Sequence, residues 1–224
     1  MTGETRQMLR TLLIAVTFSI AFAYIESAVV VYLREIFHPE GFTFPLQAFD
    51  LTDTGRRLLL TEIGREGATL VLILTAAWLF GRSRQERAAH ILLIFAVWDI
   101  FYYVWLKVLL DWPASIMDWD VLFLMPVIWA SPVLYPVLVS IVMFVFATAI
   151  LYRVARGRPL IVTCGDWLGW LASAVVIVVS FCLGGRHVAE PGYADYWHWP
   201  IFAVGYAAGI FLCVRSLRRG AVAV

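Results

Sequence analysis

The sequence predicts an all-α fold, a polytopic membrane helix bundle with six transmembrane helices. Of its 224 residues, 62% are apolar and 15% are charged, whereas soluble domains are roughly 45–50% apolar and about 25% charged. The mean hydropathy is +0.84, and six apolar runs approach the ~20 residues that a helix needs to cross a bilayer. The connecting loops leave no room for a soluble domain, so residues 1–224 are predicted to form a single transmembrane domain.

The six predicted spans follow in chain order from these runs. The first is too long for a signal peptide and lacks a small-residue cleavage site, so we expect it to remain as a helix. The second begins with the charged stretch TEIGREGAT, and arginine-rich loops separate the second from the third and the fourth from the fifth. The sixth has Pro200 in its first turn, and its Gly205 and Gly209 allow close approach of another helix. The predicted spans are residues 11–33, 57–80, 88–110, 132–152, 167–183 and 199–214.

Prolines interrupt the stretch before the fourth span. Pro126, Pro132 and Pro136 lie within DVLFLMPVIWASPVLYP, and proline breaks or kinks a helix at the preceding turn. We therefore expect a short half-embedded or interfacial segment at residues 121–129. Non-helical backbone at that depth must be covered by protein or must line a water-filled cavity.

The distribution of arginine predicts the orientation of the bundle. Short cytoplasmic loops are enriched in Lys and Arg. With six spans, four arginine-rich segments fall on one side of the membrane, and the loop DWPASIMDWD on the other side has no Arg or Lys. Both termini are therefore predicted to be cytoplasmic. The basic segments contain Arg6 and Arg10; Arg82, Arg84 and Arg87; Arg153, Arg156 and Arg158; and Arg215, Arg218 and Arg219.

The candidate site residues are polar side chains that this topology places near the outer face. At about 1.5 Å per residue, carboxylates of three different helices reach similar depths below that face. Helical spacing places Glu62, Arg65 and Glu66 on one face of their helix, and gives Asp99 and Lys107 a shared face on another. Facing the interior avoids a cost of about 2.5–3.5 kcal/mol for a charge at the bilayer centre. The candidates are Glu26, Glu62, Arg65, Glu66, Asp99, Tyr102, Tyr103, Lys107, His187 and His198.

The preferred functional hypothesis is a carboxylate-rich pocket, open to the periplasm, that binds or conducts a cation, proton or small polar ligand. The candidates include four carboxylates and two cations, so two carboxylates are in excess. The carboxylates are Glu26, Glu62, Glu66 and Asp99, and the cations are Arg65 and Lys107. Such carboxylates must be protonated, solvated or bound to a cation. The apolar inner halves of the helices and the lack of an inverted repeat argue against a complete transporter.

Two alternatives remain open at this stage. In the first, the protein is an intramembrane enzyme, possibly metal-dependent, in which Glu62 or Glu66 is a general base and His187 or His198 an acid or metal ligand. The chain has no HExxH or GxSxG motif to support it. In the second, the protein is a non-catalytic subunit whose buried charges form a structural ion-pair network.

Composition also limits the cofactors and partners. The helices carry no suitably placed histidine for haem and no mid-membrane lysine for retinal, so neither is expected; a divalent metal remains possible. Net charge is +1, which does not indicate a nucleic-acid partner. The cysteines Cys164, Cys182 and Cys213 show no metal-ligand spacing. The expected partners are the lipid bilayer and a small ion or polar ligand.

Two stretches carry a resemblance to a known group of proteins. YIESAVVVYLREIFHPEGF and VWDIFYYVWLKVLLDWPASIMDWDVLFLMP resemble a family of bacterial six-helix integral membrane proteins of uncharacterised activity. The resemblance covers the first two-thirds of the chain and includes Glu26, Asp99 and Lys107. It implies location in the bacterial inner membrane, and hence a periplasmic mouth for the pocket, and it implies no activity.

Overall fold

The computed structural model of the protein describes residues 3–38, 41–46 and 52–222. Within these residues the chain forms six α-helices, all long and apolar enough to cross a membrane. The prediction of a six-helix membrane bundle is therefore confirmed at this level. The helices are α1 (Gly3–Phe37), α2 (Asp53–Phe80), α3 (Arg84–Leu110), α4 (Leu134–Ala155), α5 (Cys164–Gly185) and α6 (Trp199–Val222).

Most of the helices extend beyond the predicted apolar spans because polar residues continue and cap them. Helix α1 begins eight residues before the predicted start, since the polar residues of that segment also adopt helical geometry. Thr163 caps α5 in a capping box with Asp166, and Ser83 caps α3 through the backbone N–H of Glu86. Such caps satisfy backbone donors that a helix leaves free at its first turn.

The proline-rich segment before α4 is a β-hairpin, which the sequence analysis did not predict. Strand β1 (Trp119–Phe123) pairs antiparallel with β2 (Trp129–Pro132), with Trp119 opposite Pro132 and a bulge between Val121 and Phe123. Tryptophan, valine and phenylalanine favour strands. Because Pro132 ends β2, α4 begins at Leu134 and not at the predicted residue 132.

Helix α3 is the central element of the packing. It packs against α1, α2 and α4, whereas α5 and α6 form a separate pair that joins the rest mainly through contact of α5 with β2. The α5–α6 contact uses the predicted small residues. A Cβ atom at Gly205 would lie 2.9 Å from Ile177 Cγ1, and the Ser173 hydroxyl donates to the Gly205 carbonyl over 2.7 Å.

The two ends of the bundle differ in their contacts. At the end where α1 begins and α6 ends, called the terminal end, the Arg215 and Arg219 side chains pair with Asp166 at 2.7 and 3.1 Å. At the opposite end, called the distal end, the backbone N–H of Leu46 donates to the Val188 carbonyl over 2.7 Å. The distal end also carries the β1–β2 hairpin.

Candidate functional site

A cavity of about 980 Å³ lies among the helices and receives side chains from all six of them and from the hairpin. Its distal part is polar and the remainder is largely apolar. Seven of the ten candidate residues line it, and they are Glu26, Glu62, Arg65, Glu66, Asp99, Tyr102 and Tyr103. The four carboxylates that the sequence analysis selected from three helices therefore line one common space.

Arg65 on α2 joins two of these carboxylates. Its guanidinium donates to the Glu26 carboxylate on α1 and to the Glu62 carboxylate one turn away, the latter through Nε over 2.9 Å. The Thr69 hydroxyl, one turn further along α2, lies 3.3 Å from Glu26 Oε2. The fork of the guanidinium suits such double pairing, and the pairing accounts for the burial of Glu26 and Glu62.

Glu66 and Asp99 are held by hydrogen bonds instead. The Leu124 backbone N–H donates to both Glu66 oxygens, at 2.9 and 3.1 Å, which ties the hairpin to α2. The Ser140 hydroxyl donates to Asp99 Oδ2 over 2.7 Å. Among the described residues, neither carboxylate forms an ion pair. Of the four candidate carboxylates, these two have no cation at ion-pair distance in the part of the chain that the structure describes.

Arg34 and Asp120 form a second charged pair, which the site prediction did not include. Arg34 Nη2 lies 3.5 Å from Asp120 Oδ1, and both side chains are at least nine-tenths buried. The Arg34 guanidinium also lies over the rings of Phe42 and Trp112, 4.1 and 3.9 Å from their centroids. Burial raises the pKa of the Asp120 carboxyl to about 6, although Arg34 opposes the shift.

A sequence signal for Arg34 was present. Glu26, Val30 and Arg34 recur at intervals of four residues, which places them on one helix face. Arg34 was not selected because the first predicted span ends at residue 33. Asp120 was not selected because a half-embedded segment was predicted from residue 121 onward, and a β-hairpin was not.

Aromatic side chains surround the polar part of the cavity. The Trp98 and Tyr102 rings stack at 6.3 Å, and Phe123 and Trp129 of the hairpin are 5.5 Å apart. Trp98 is 6% exposed, and among the described residues its indole N–H has no hydrogen-bond partner. The indole nitrogen has almost no accessible surface, so Trp98 lines the cavity with its ring and not with its N–H.

Lys107, His187 and His198 lie outside the cavity, unlike the other seven candidates. Lys107 is in the last turn of α3 and pairs with Asp111 at 2.7 Å, because the left-handed turn at Asp111 brings the carboxylate back toward it. His187 pairs with Glu190 at 3.0 Å and stacks on Tyr196. His198 is exposed just before α6. The histidines required by the enzyme hypothesis are thus not beside the carboxylates.

The charge of the polar part is negative when its groups are ionised. Five carboxylates face two guanidiniums, and five minus two leaves three in excess; they are Glu26, Glu62, Glu66, Asp99 and Asp120 against Arg34 and Arg65. Within the described residues, no group of three or more His, Cys, Asp or Glu side chains is arranged to hold a metal ion. The arrangement can therefore attract a positive charge, but it is not a compact metal site.

Comparison of the chain with family models, with curated proteins and with solved structures gives no match.

Proposed function

We propose that the protein is a membrane-embedded binding protein whose pocket takes a cation or a positively charged group. The observation that carries this proposal is that Glu66 and Asp99 line one cavity and form no ion pair among the described residues. A buried carboxylate without a cationic partner must be protonated or bind a cation. Intramembrane ionisable groups of this kind commonly mark ligand or ion pathways.

The size of the cavity favours a molecular ligand over a bare ion. Ligand pockets generally have volumes of about 300–1,000 Å³, and the cavity of about 980 Å³ is at the upper limit of this range. A cationic ligand of this size would bring charge to the carboxylates and would fill space that a small ion leaves empty.

The structural alternative explains only part of the pocket. Pairing with Arg65 accounts for Glu26 and Glu62, and pairing with Arg34 accounts for Asp120. Glu66 has a structural role as well, since it holds the hairpin through Leu124. Asp99 is bonded only by the Ser140 hydroxyl among the interactions of the described residues, so it discriminates best between a ligand site and a structural network.

The proposed setting is the bacterial inner membrane, with the distal end facing the periplasm and both termini in the cytoplasm. The arginine-rich segments at the terminal end support this orientation, because cytoplasmic loops carry an excess of Lys and Arg. In this setting the polar part of the cavity lies in the periplasmic leaflet, with the half-embedded hairpin beside it.

The test uses tetramethylammonium as the probe and the Asp99→Asn variant of the full chain in lipid nanodiscs. The asparagine side chain can still accept the Ser140 hydrogen bond, so the change removes charge while keeping shape. We expect saturable binding to the unaltered protein and at least a tenfold loss in the variant, since truncating one side of a buried charge pair costs about 2–5 kcal/mol.

The matched control is Asp111→Asn, because the Asp111 side chain is 92% exposed at the same end of the bundle. It should bind the probe as the unaltered protein does. Isothermal titration calorimetry measures all three affinities. Equal affinities in the three proteins, or no saturable binding to any of them, would contradict the proposal.

A further inference from the structure

We infer that the ligand is a membrane amphiphile, with an ammonium head group among the carboxylates of the distal end and one long apolar chain in the groove along α3. The inference rests on the proposed function, because it places the cationic group of that proposal at the head of a lipid-like molecule. It adds the chemical class of the ligand and the source from which the protein takes it, namely the bilayer.

The length of the groove suits a single lipid chain. Cavity-lining residues recur along one face of α3 from the terminal end to the distal end, including Ala88, Leu92 and Phe95 before Asp99. From Ala88 to Asp99 the helix rises roughly 16 Å at about 1.5 Å per residue. One leaflet of a bilayer whose hydrocarbon core is about 30 Å thick has a similar depth of about 15 Å. The groove therefore has the length of one lipid chain.

Below the carboxylates the groove is largely apolar. The opposite walls are formed by α4 with Val142 and Phe146 and by α5 with Trp170 and Ile177. Ser173 is also there, but its hydroxyl already donates to the Gly205 carbonyl. Protein interiors leave few voids larger than a water molecule. Between the carboxylates and the residues Arg84 and Gln85 at the terminal end, the cavity offers few partners to a polar solute. A hydrocarbon chain matches it.

The distal end of the groove combines negative charge with aromatic rings. Three carboxylates in excess provide the charge for a cation, and the aromatic rings of Trp98, Tyr102 and Trp129 line the same part of the cavity. Aromatic faces together with negative charge are the established means of recognising quaternary ammonium groups. Charge and aromatic rings thus favour an ammonium amphiphile over an anionic one.

The contacts around the groove are consistent with access from the bilayer. At the terminal end the groove is closed by reciprocal hydrogen bonds between Gln85 and Leu160, at 2.7 and 2.9 Å. Helix α2 packs on α3 and, over the part of the chain that the structure describes, has at most marginal contact with α5 and α6. Among the described helices, none is packed between α2 and the α5–α6 pair, and this is the side through which we infer that a lipid chain enters.

The test measures binding of a series of alkyltrimethylammonium ions, from tetramethyl through hexyl to dodecyl, to the full chain in nanodiscs. Empty nanodiscs supply the correction for partitioning into lipid. After this correction we expect the dodecyl member to bind at least a hundredfold more tightly than the tetramethyl member. The reason is that each buried methylene favours association.

Two matched variants separate the chain site from the head site. Val142→Trp fills the groove from α4 and should weaken dodecyl binding at least tenfold while leaving tetramethylammonium binding unchanged. Val145→Trp adds the same side chain on the same helix at a position that is 60% exposed and outside the cavity, and should change neither. Asp99→Asn should weaken every member of the series by the same factor.

A photolabelling experiment on the unaltered protein covers the case in which a variant fails to fold. A dodecyltrimethylammonium analogue with a diazirine at the end of its chain should label groove residues such as Leu92 and Trp170. Labelling confined to lipid-facing positions such as Leu79, which is 84% exposed, would overturn the inference.

The outcomes distinguish this inference from the proposed function. If tetramethylammonium binding depends on Asp99 but the corrected affinity does not rise with chain length, the amphiphile inference is wrong and the cation site is retained. Binding of the longer chains that Asp99→Asn does not affect would overturn both. The amphiphile inference is supported if affinity rises with chain length, if Val142→Trp removes this rise, and if Val145→Trp preserves it.

Discussion

At the scale of single residues, Arg65 sets the charge balance of the pocket. It is the only side chain that bridges two of the carboxylates among the described residues, since it pairs with both Glu26 and Glu62. The partners come from α1 and α2, so one guanidinium both neutralises charge and joins two helices. Arg34 has the corresponding role toward Asp120 and the hairpin.

Replacing Arg65 by methionine should therefore destabilise the protein strongly. The change leaves Glu26 and Glu62 without their cation, and breaking a buried pair by removing one partner costs on the order of 3–5 kcal/mol. Unfolding by SDS in mixed micelles measures the loss. The double variant Arg65→Met with Glu26→Gln should recover part of it, because one of the two orphaned charges is then gone. A double variant less stable than Arg65→Met alone would refute this account of the network.

At the scale of elements, the α5–α6 pair depends on the absence of side chains on one face of α6. Cβ atoms at Gly205 and Gly209 would lie 2.9 Å from Ile177 Cγ1 and 2.7 Å from Ser173 Oγ. A Cβ atom at Gly205 would also lie 3.1 Å from the Ile177 backbone nitrogen, and a backbone atom cannot move aside as a side chain can. Small residues permit such close packing of membrane helices.

Alanine at Gly205 should accordingly destabilise the helix pair, by about 1–3 kcal/mol as in other overpacked interiors. The matched control is Gly67→Ala in α2, where an added Cβ meets nothing within 4 Å. That variant should be neutral or slightly more stable, because alanine has the higher helix propensity by about 1 kcal/mol. The unfolding free energies of the two variants can be compared directly. Equal effects would show that the close approach at Gly205 is unimportant.

The hairpin is the element that completes the pocket. It contributes Asp120 and the rings of Phe123 and Trp129 to the cavity lining, and Glu66 holds it through Leu124. Three of the pocket's components thus come from a segment for which proline spacing predicted only irregular backbone. Proline explains why a helix is interrupted, but it does not specify the register in which two short strands pair.

At the scale of the whole molecule, the two ends of the bundle differ. The start of α1, the end of α6 and the α2–α3 and α4–α5 connections lie at the terminal end, and the carboxylates of the pocket lie toward the distal end. Cys164 is an exposed residue at the terminal end, at the start of α5. If that end is cytoplasmic, a membrane-impermeant maleimide should label Cys164 in inverted vesicles and not in intact spheroplasts. Ser115→Cys in a Cys164→Ser background, at the distal end, should give the opposite pattern. Labelling of Cys164 from the periplasmic side would reverse the proposed orientation.

Helical spacing alone predicted the positions of some candidate residues and not of others. Glu62, Arg65 and Glu66 share a helix face by their spacing alone, and their positions at the cavity follow from that face. Lys107 has suitable spacing as well, but the turn at Asp111 supplies a nearer partner. His187 and His198 lie in a connection whose path depends on contacts with distant parts of the chain, so their distance from the carboxylates had no sequence signal.

The amino-acid sequence by itself determined that the chain forms six helices long and apolar enough to cross a membrane, and that several carboxylates must avoid lipid. Both conclusions follow from local properties, namely the length of apolar runs and the cost of burying charge. Only the tertiary structure decided which charges pair, which remain without a cation, and that an apolar groove continues below them. These features depend on the rotation of each helix about its axis and on the path of the hairpin, and both are set by packing between segments far apart in the chain.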